Sequence, residues 1–437
     1  MRKLKNIAAA LVVVFCFCAL FVACAARDEG IDRGKNYAIV FESNGGSSIA
    51  SISFADLSGV SAIEPEKDGY IFAGWFVDNE TFKTELTLSY IKANLVQKEL
   101  KAYAKWVTID ECFAFAFTDN TQSTYKISRK ENATVPSKLV LPSEYNGKSV
   151  VEIGEMAFYN CNTLTSVTIP TSVISIGFLA FYGCDKMTNI AVENGNSNYQ
   201  SIDGNLYSKD CKTLIQYAIG KTAAEFTIPT NVTNIGNDAF YNCKRLTSII
   251  IPISVTNIGD LAFYGCSRLS SVTIPTSVTS IGSGAFFDCS SLTSITIPAS
   301  VTSIGDLAFY GCNSITNIVI SAGVTSIGND AFFGCSSLTN ITISTSVTSF
   351  GERAFYGCAN LTSITIPAGV TSIGDKAFYA CSSLTSVIIP AGVTNIGSRS
   401  FEGCSKLTIY AEVASKPDGW NGDWNPDPRP VFWGHKK

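Results

Sequence analysis

The sequence predicts a solenoid, a chain wound into stacked and nearly identical turns, preceded by a small β-rich domain. An Ala-Phe step recurs every 23 residues at Phe240, Phe263, Phe286, Phe309, Phe332, Phe355 and Phe378, and returns at Phe401 behind Ser400. A glycine stands four residues before each Phe, from Gly154 to Gly397, and a cysteine three residues after it, from Cys161 and Cys184 to Cys404. A fixed period of this length marks repeats that each bury an apolar face against their neighbours and are not stable alone. Charged residues make up 16% of the chain and the net charge is -4, without any block of one sign, so there is no basic footprint for nucleic acid.

Residues 1–24 read as an export signal, with Arg2, Lys3 and Lys5 ahead of an apolar run from Ile7 to Val22. That run is short of the ~20 residues that span a bilayer comfortably. Phe21-Val22-Ala23-Cys24 resembles a bacterial lipobox with Phe21 in place of the usual Leu, which implies lipidation at Cys24; cleavage nearby without a lipid is the alternative. Residues 25–36 are polar and suit a tether.

Residues 37–107 form the small β domain. Tyr37-Ala38-Ile39-Val40-Phe41 alternates as a strand and Asn44-Gly45-Gly46 is a turn. With the stretch Asp68 to Asp78 (DGYIFAGWFVD) and Leu100 to Trp106 (LKAYAKW), this region resembles the B repeats of internalin-type surface proteins, a β-grasp-like module used as a spacer or weak interaction unit. Trp75 and Trp106 are expected in its core. Residues 111–150 are expected to cap the solenoid: Phe113, Phe115 and Phe117 alternate, and Asn146-Gly147 is a turn.

The repeats occupy 151–406. Between Phe181 and Phe240 the spacing is 59, one period plus 36, and the excess lies at about 193–220. Asp203-Gly204 and Ser208-Lys209-Asp210 are turn signals there, predicting a β-hairpin inside one enlarged repeat. Residues 407–437 are Pro- and Trp-rich and should close the far end. Trp420, Trp424 and Trp433 read as cap residues, with sugar stacking as a second reading.

Within one unit, Leu292-x-x-Ile295-x-Ile297 puts apolar side chains on one face of a short strand, with Thr293, Ser294 and Thr296 facing out. Val301 and Ile304 turn inward again. Gly305 implies a positive φ or a backbone approach that a Cβ would block. Asp306 and its counterparts Asn237, Asp260, Ser283, Asn329, Asp375 and Ser398 read as N-caps of one helical turn, Leu307 to Tyr310, ended at a left-handed Gly311. The cysteine ladder is expected to be buried and reduced, since one thiol per turn occupies an inward position; a disulfide framework is the alternative. Tyr or Phe follows nearly every repeat Phe, predicting an aromatic column whose rings pack on one another or bind a ligand.

The single histidine, His435, excludes Ser-His-Asp, Cys-His and histidine-based metal sites. No phosphate cradle, zinc spacing or calcium loop breaks the period, so no cofactor, metal or catalytic role is expected. The unit LTSITIPxxVTSIGxxAFxGC resembles BspA-like leucine-rich repeats from Glu111 onward. That resemblance implies a non-enzymatic surface protein adhering to host matrix proteins, cells or other microbes. The expected contact surface is the strand face, at Ser271, Thr273, Ser294, Thr296, Asn340, Thr342, Ser363 and Thr365, with a plain solvated surface as the alternative. An extracellular protein is the implied partner, with a glycan-binding accessory surface protein or a structural surface component without specific ligand as the alternatives, and Cys24 makes a lipid-anchored position on a bacterial surface the expected location. Asn132, Asn231, Asn340 and Asn360 open glycosylation sequons, which leaves a eukaryotic secreted origin as the other possibility.

Overall fold

The computed structural model describes residues 38–53, 63–67, 70–94 and 99–436. The expected signal, Cys24 and the tether lie outside the described residues. The chain divides into two compact units, one within residues 1–105 and one from 106 onward that also takes in 69–73.

In the first unit Ala38–Glu42 runs parallel to Glu99–Thr108 and antiparallel to Ile52–Ser53. Period-two alternation puts Ile39 and Phe41 inward, where the Phe41 ring lies 4.6 Å from Trp75. Trp75 donates from Nε1 to the Ile63 carbonyl at 2.8 Å and is buried, whereas Trp106 is half-buried and outside this core. Thr87 caps the helix Leu88–Ala93 by accepting from the Tyr90 N–H, and Ile91 is the helix's buried residue.

The second unit begins with a short helix, Ile109–Cys112, closed by a capping box between Thr108 and Glu111. Phe113–Phe117 then pairs antiparallel with Tyr125–Arg129, which lies parallel to Lys148–Ile153. Lys138–Val140 pairs with Ser166–Ile169 and starts the strand face of the solenoid.

Each regular turn carries two strands. In the turn from Leu292, Ser294–Ile297 pairs in parallel with Asn317–Ile320, and Ser303–Ile304 pairs with Ser326–Ile327. The second strand has two residues, too few to show an alternation in sequence. Stacked turn on turn, eight of these short strands nevertheless form most of the longest sheet, of 11 strands, whose other three come from residues 199–216. Leu292, Ile295, Ile297, Val301, Ile304, Ala308, Phe309 and Cys312 are all buried, as their spacing implied. From Phe240 to Phe401 the repeat Phe rings form a continuous stack, with Phe309 5.2 Å from Phe286 and 5.5 Å from Phe332.

The expected capped helical turn is absent, and the reason lies in two left-handed residues, Leu307 at φ 59° and Gly311 at φ 69°. They make successive N–H groups point in alternate directions. Ala308, Tyr310 and Cys312 donate within the turn to Gly305, Leu307 and Phe309. Leu307, Phe309 and Gly311 donate to Asn329, Ala331 and Phe333 of the next turn. Asp306 therefore caps a neighbour and not its own turn: its Oδ1 accepts from the Asn329 N–H at 2.7 Å, and Asp260 accepts from Ser283 in the same way. A short acceptor is selected at that position by the repeat that follows.

Gly305 is resolved between its two expected explanations. Its φ is not positive, and a Cβ would lie 2.7 to 2.8 Å from Gly282 C and O and Ser283 N. Backbones stack at van der Waals limits there.

Residues 193–220 hold three strands. Tyr199–Ile202 and Asn205–Ser208 pair around a turn with Asp203 at φ 49° and Gly204 at φ 71°. Thr213–Gln216 returns antiparallel to Asn205–Ser208 and pairs in parallel with Asn234–Ile235, joining the long sheet. Asn196 pins the entry to this segment: fully buried, its Nδ2 donates to the Pro170 and Val173 carbonyls and its Oδ1 accepts from Asn198 and Tyr199 N–H.

Candidate functional site

The strand face carries two outward rows. Ser271, Ser294, Asn340 and Ser363 lie in one, Thr273, Thr296, Thr342 and Thr365 in the other, and these positions are exposed or half-buried. Register brings them together, since Ser294 opposes Asn317, which opposes Asn340, while Thr296, Val319 and Thr342 align beside them. None of the eight makes a side-chain hydrogen bond within the described chain. The Thr row just ahead of them differs. Thr293 Oγ1 donates to the Ser270 carbonyl, Thr316 to Thr293 and Thr339 to Thr316, at 3.0 to 3.3 Å. A matching row just ahead of the second strand does the same, Thr325 to Thr302 and Thr348 to Thr325. Hydroxyls beside the strands are thus committed to tying turns together, and those on the face remain available to a partner.

Sequence reading missed that the Thr row ends in apolar residues. Its register continues from Thr365 through Ile388 and Tyr410 to Phe432, which is 56% exposed and stacks 5.4 Å from Tyr410. The His435 ring lies 4.9 Å from Tyr410. Tyr410 and Phe432 fall outside the 23-residue period, so no repeat alignment reveals that they extend the row. Ile250, 60% exposed, is a further apolar member of the row nearer its other end.

The family described as BspA type leucine rich repeat region matches residues 138–222, 217–338 and 302–415, well over half of the sequence. The chain belongs to the BspA-type leucine-rich repeat family. The Listeria-Bacteroides repeat domain matches residues 37–105. Among solved structures, a leucine rich cell surface protein from Faecalibacterium prausnitzii is 26% identical, with 72% of this chain and 95% of that one covered and a TM-score of 0.40. A leucine-rich repeat protein from Bacteroides ovatus is also 26% identical, with 74% and 98% covered and a TM-score of 0.35. No curated protein matches the chain.

In these BspA-type repeats the aromatic column is closed to stacking ligands. Tyr264, Phe287, Tyr310, Phe333 and Tyr356 pack face to face at 4.4 to 4.7 Å, so each ring's faces are covered by its neighbours. A sugar ring needs an open aromatic face. At the C-terminal end Trp420 and Trp424 are buried as cap residues, with Trp420 donating to the Val393 carbonyl at 3.0 Å and the Trp424 ring 5.8 Å from Phe401. Trp433 is the exception, 38% exposed.

The cysteine ladder is buried and unbridged. Its thiols bond across turns: Cys312 Sγ donates to the Phe286 carbonyl at 3.1 Å and Cys289 to Phe263 at 3.2 Å, each linking its own turn to the preceding one. Burial pushes the Cys266 and Cys335 thiols up to about 12, so thiolate is scarce there at neutral pH, whereas at the N-terminal end of the ladder the hydrogen bond with Cys184 lowers Cys161. Among the twelve described cysteines Cys211 alone is not buried. An aromatic disulfide reagent should therefore modify Cys211 rapidly in the native protein and the other eleven only after unfolding; rapid native labelling of several would contradict the buried ladder. Among the described residues no three His, Cys, Asp or Glu side chains converge as metal ligands, and no helix is long and apolar enough to cross a membrane.

Proposed function

We propose that the chain is a lipid-anchored adhesion protein of a bacterial surface, held through Cys24 and binding an extracellular protein partner through its strand face. The observation that carries this reading is the contrast between hydroxyl rows: the flanking threonines are used internally, while Ser271, Ser294, Asn340 and Ser363 and the neighbouring Thr273, Thr296, Thr342 and Thr365 face outward and unpartnered. Membership in the BspA-type family supports a surface interaction role. A flat row of small polar side chains gives many weak hydrogen bonds, and repetition turns them into avidity. Tyr410 and Phe432 add what such a surface otherwise lacks, an aromatic anchor that a partner can desolvate. Two or three acyl chains at Cys24 would hold firmly, because each buried methylene contributes ~0.8 kcal/mol.

The covered faces of the aromatic column weigh against a glycan reading through that stripe. The triple variant Thr296→Lys, Thr342→Lys, Thr365→Lys places charges on outward positions without removing an internal hydrogen bond. It should keep the wild-type melting curve and lose at least about tenfold in affinity for a matrix-protein ligand found by panel screening. Undiminished binding by the folded variant would refute the strand-face assignment.

A further inference from the structure

The repeat order fails at one place, where residues 193–220 enter the stack. Elsewhere each repeat Phe ring lies on the next, but Phe181 does not reach Phe240; Tyr217 takes its place, 5.4 Å from Phe240, and its N–H takes the Ala239 carbonyl. The short-strand ladder breaks at the same level, because Asn234–Ile235 pairs with Thr213–Leu214 and leaves Ser175–Ile176 at the edge of a separate sheet. Even the outer column turns there, with Tyr182 edge-on to Tyr241 at 83°. Between the separated turns lies a cleft of about 350 Å³. That volume is within the range of small-molecule sites.

The walls of the cleft are Ile176, Phe178, Phe181, Leu206 and Ile215, and its ionisable group is Asp238. Asp238 occupies the left-handed position two residues before Phe240, where other turns place Leu307, Arg353 or Lys376. Its Oδ2 accepts from the Leu179 N–H at 2.9 Å, standing in for the carbonyl that the next turn supplies elsewhere, as Ser283 does for Leu261. One N–H does not neutralise a carboxylate. Four turns later Asp330 holds the same position and has a counter-cation, Arg353 at 2.9 Å. At Asp238 the stacked positions on either side are Leu179 and Leu261, and burial raises its carboxyl to about 6. It is nonetheless ionised at neutral pH.

We propose that this cleft binds a small organic cation, an ammonium or guanidinium head on an aromatic or aliphatic body, with the head on the Asp238 carboxylate and the body against Phe178, Ile176 and Ile215. A charge-assisted hydrogen bond in a partly desolvated cleft supplies orientation, and the walls supply apolar contact. Phe178 is 41% exposed, as the mouth of an open site would be. This site is separate from the strand face and does not depend on the adhesion reading.

The test is calorimetric titration of the full chain at pH 7.5 with phenethylammonium, and with phenethyl alcohol as its uncharged counterpart. Saturable binding at about millimolar Kd or better is expected for the amine and none for the alcohol. Asp238→Asn keeps an acceptor for Leu179 and removes the charge; it should retain the melting temperature and weaken the amine at least about tenfold. Phe178→Ala should weaken it severalfold through lost apolar contact. Absence of amine binding, equal affinity in folded Asp238→Asn, or equal binding of the alcohol would each overturn the proposal.

Discussion

Phe309→Ala should cost about 3–5 kcal/mol and convert a single unfolding transition into two. The side chain is fully buried, and its ring fills the space between Phe286 and Phe332. Those rings cannot close the gap, because the backbones that carry them are held at fixed spacing by hydrogen bonds running through the mutated turn and past it, Phe286 N–H to the Ala308 carbonyl, Phe309 N–H to Ala331 and Phe332 N–H to Ala354. The cavity therefore remains open. In a structure where each turn touches only its neighbours, a weak turn also uncouples the segments on either side. Urea unfolding followed by far-UV circular dichroism reads both effects, and a single transition with an unchanged midpoint would contradict them.

Gly305→Ala should be comparably damaging for the opposite reason. Its Cβ would fall within 2.8 Å of three backbone atoms of Gly282 and Ser283, which cannot rotate away as a side chain would. Overpacking of this kind costs about 1–3 kcal/mol and more where backbone must move. Gly334→Ala is the control. That glycine has φ 69° but open space around it, and Ala380 already occupies the equivalent position at φ 58°. Only left-handed strain is added there, about 1 kcal/mol. Thermal unfolding of the two variants should rank Gly305→Ala well below Gly334→Ala, and equal melting temperatures would remove close packing as the reason for the Gly305 row.

Much of the solenoid was legible because its core obeys one rule per position. Ile295, Ile297, Val301, Ile304, Ala308, Phe309 and Cys312 recur at fixed spacing and all are buried. The turn before each Phe was misread because short polar residues such as Asp306 look the same whether they cap their own helix or the next repeat. The left-handed position at Leu307 carried one faint signal. Its occupants across the array include Met156, Leu179, Asp238, Gly284, Arg353 and Lys376, but no Val, Ile or Thr, the residues that tolerate a positive φ least. The strand-face rows were legible as outward positions, since alternation fixes them. Which hydroxyls are free was not, because that depends on contacts one period away. The cleft was legible as a length excess between Phe181 and Phe240 and nothing more; that Tyr217 would replace Phe181 in the ring stack is decided by how the inserted strands dock.

Each turn offers to the next the same rings, carbonyls and N–H groups that it receives from the one before, Phe309 on Phe332 as Phe286 on Phe309, Leu307 to Asn329 as Gly284 to Asp306. Any two of the regular turns from Phe240 to Phe378 are therefore compatible neighbours. Inserting or deleting 23 residues in register adds or removes a whole turn while both caps survive. The products are folded proteins of different reach and contact number. Array length can in this sense be set independently of the packing within any one turn.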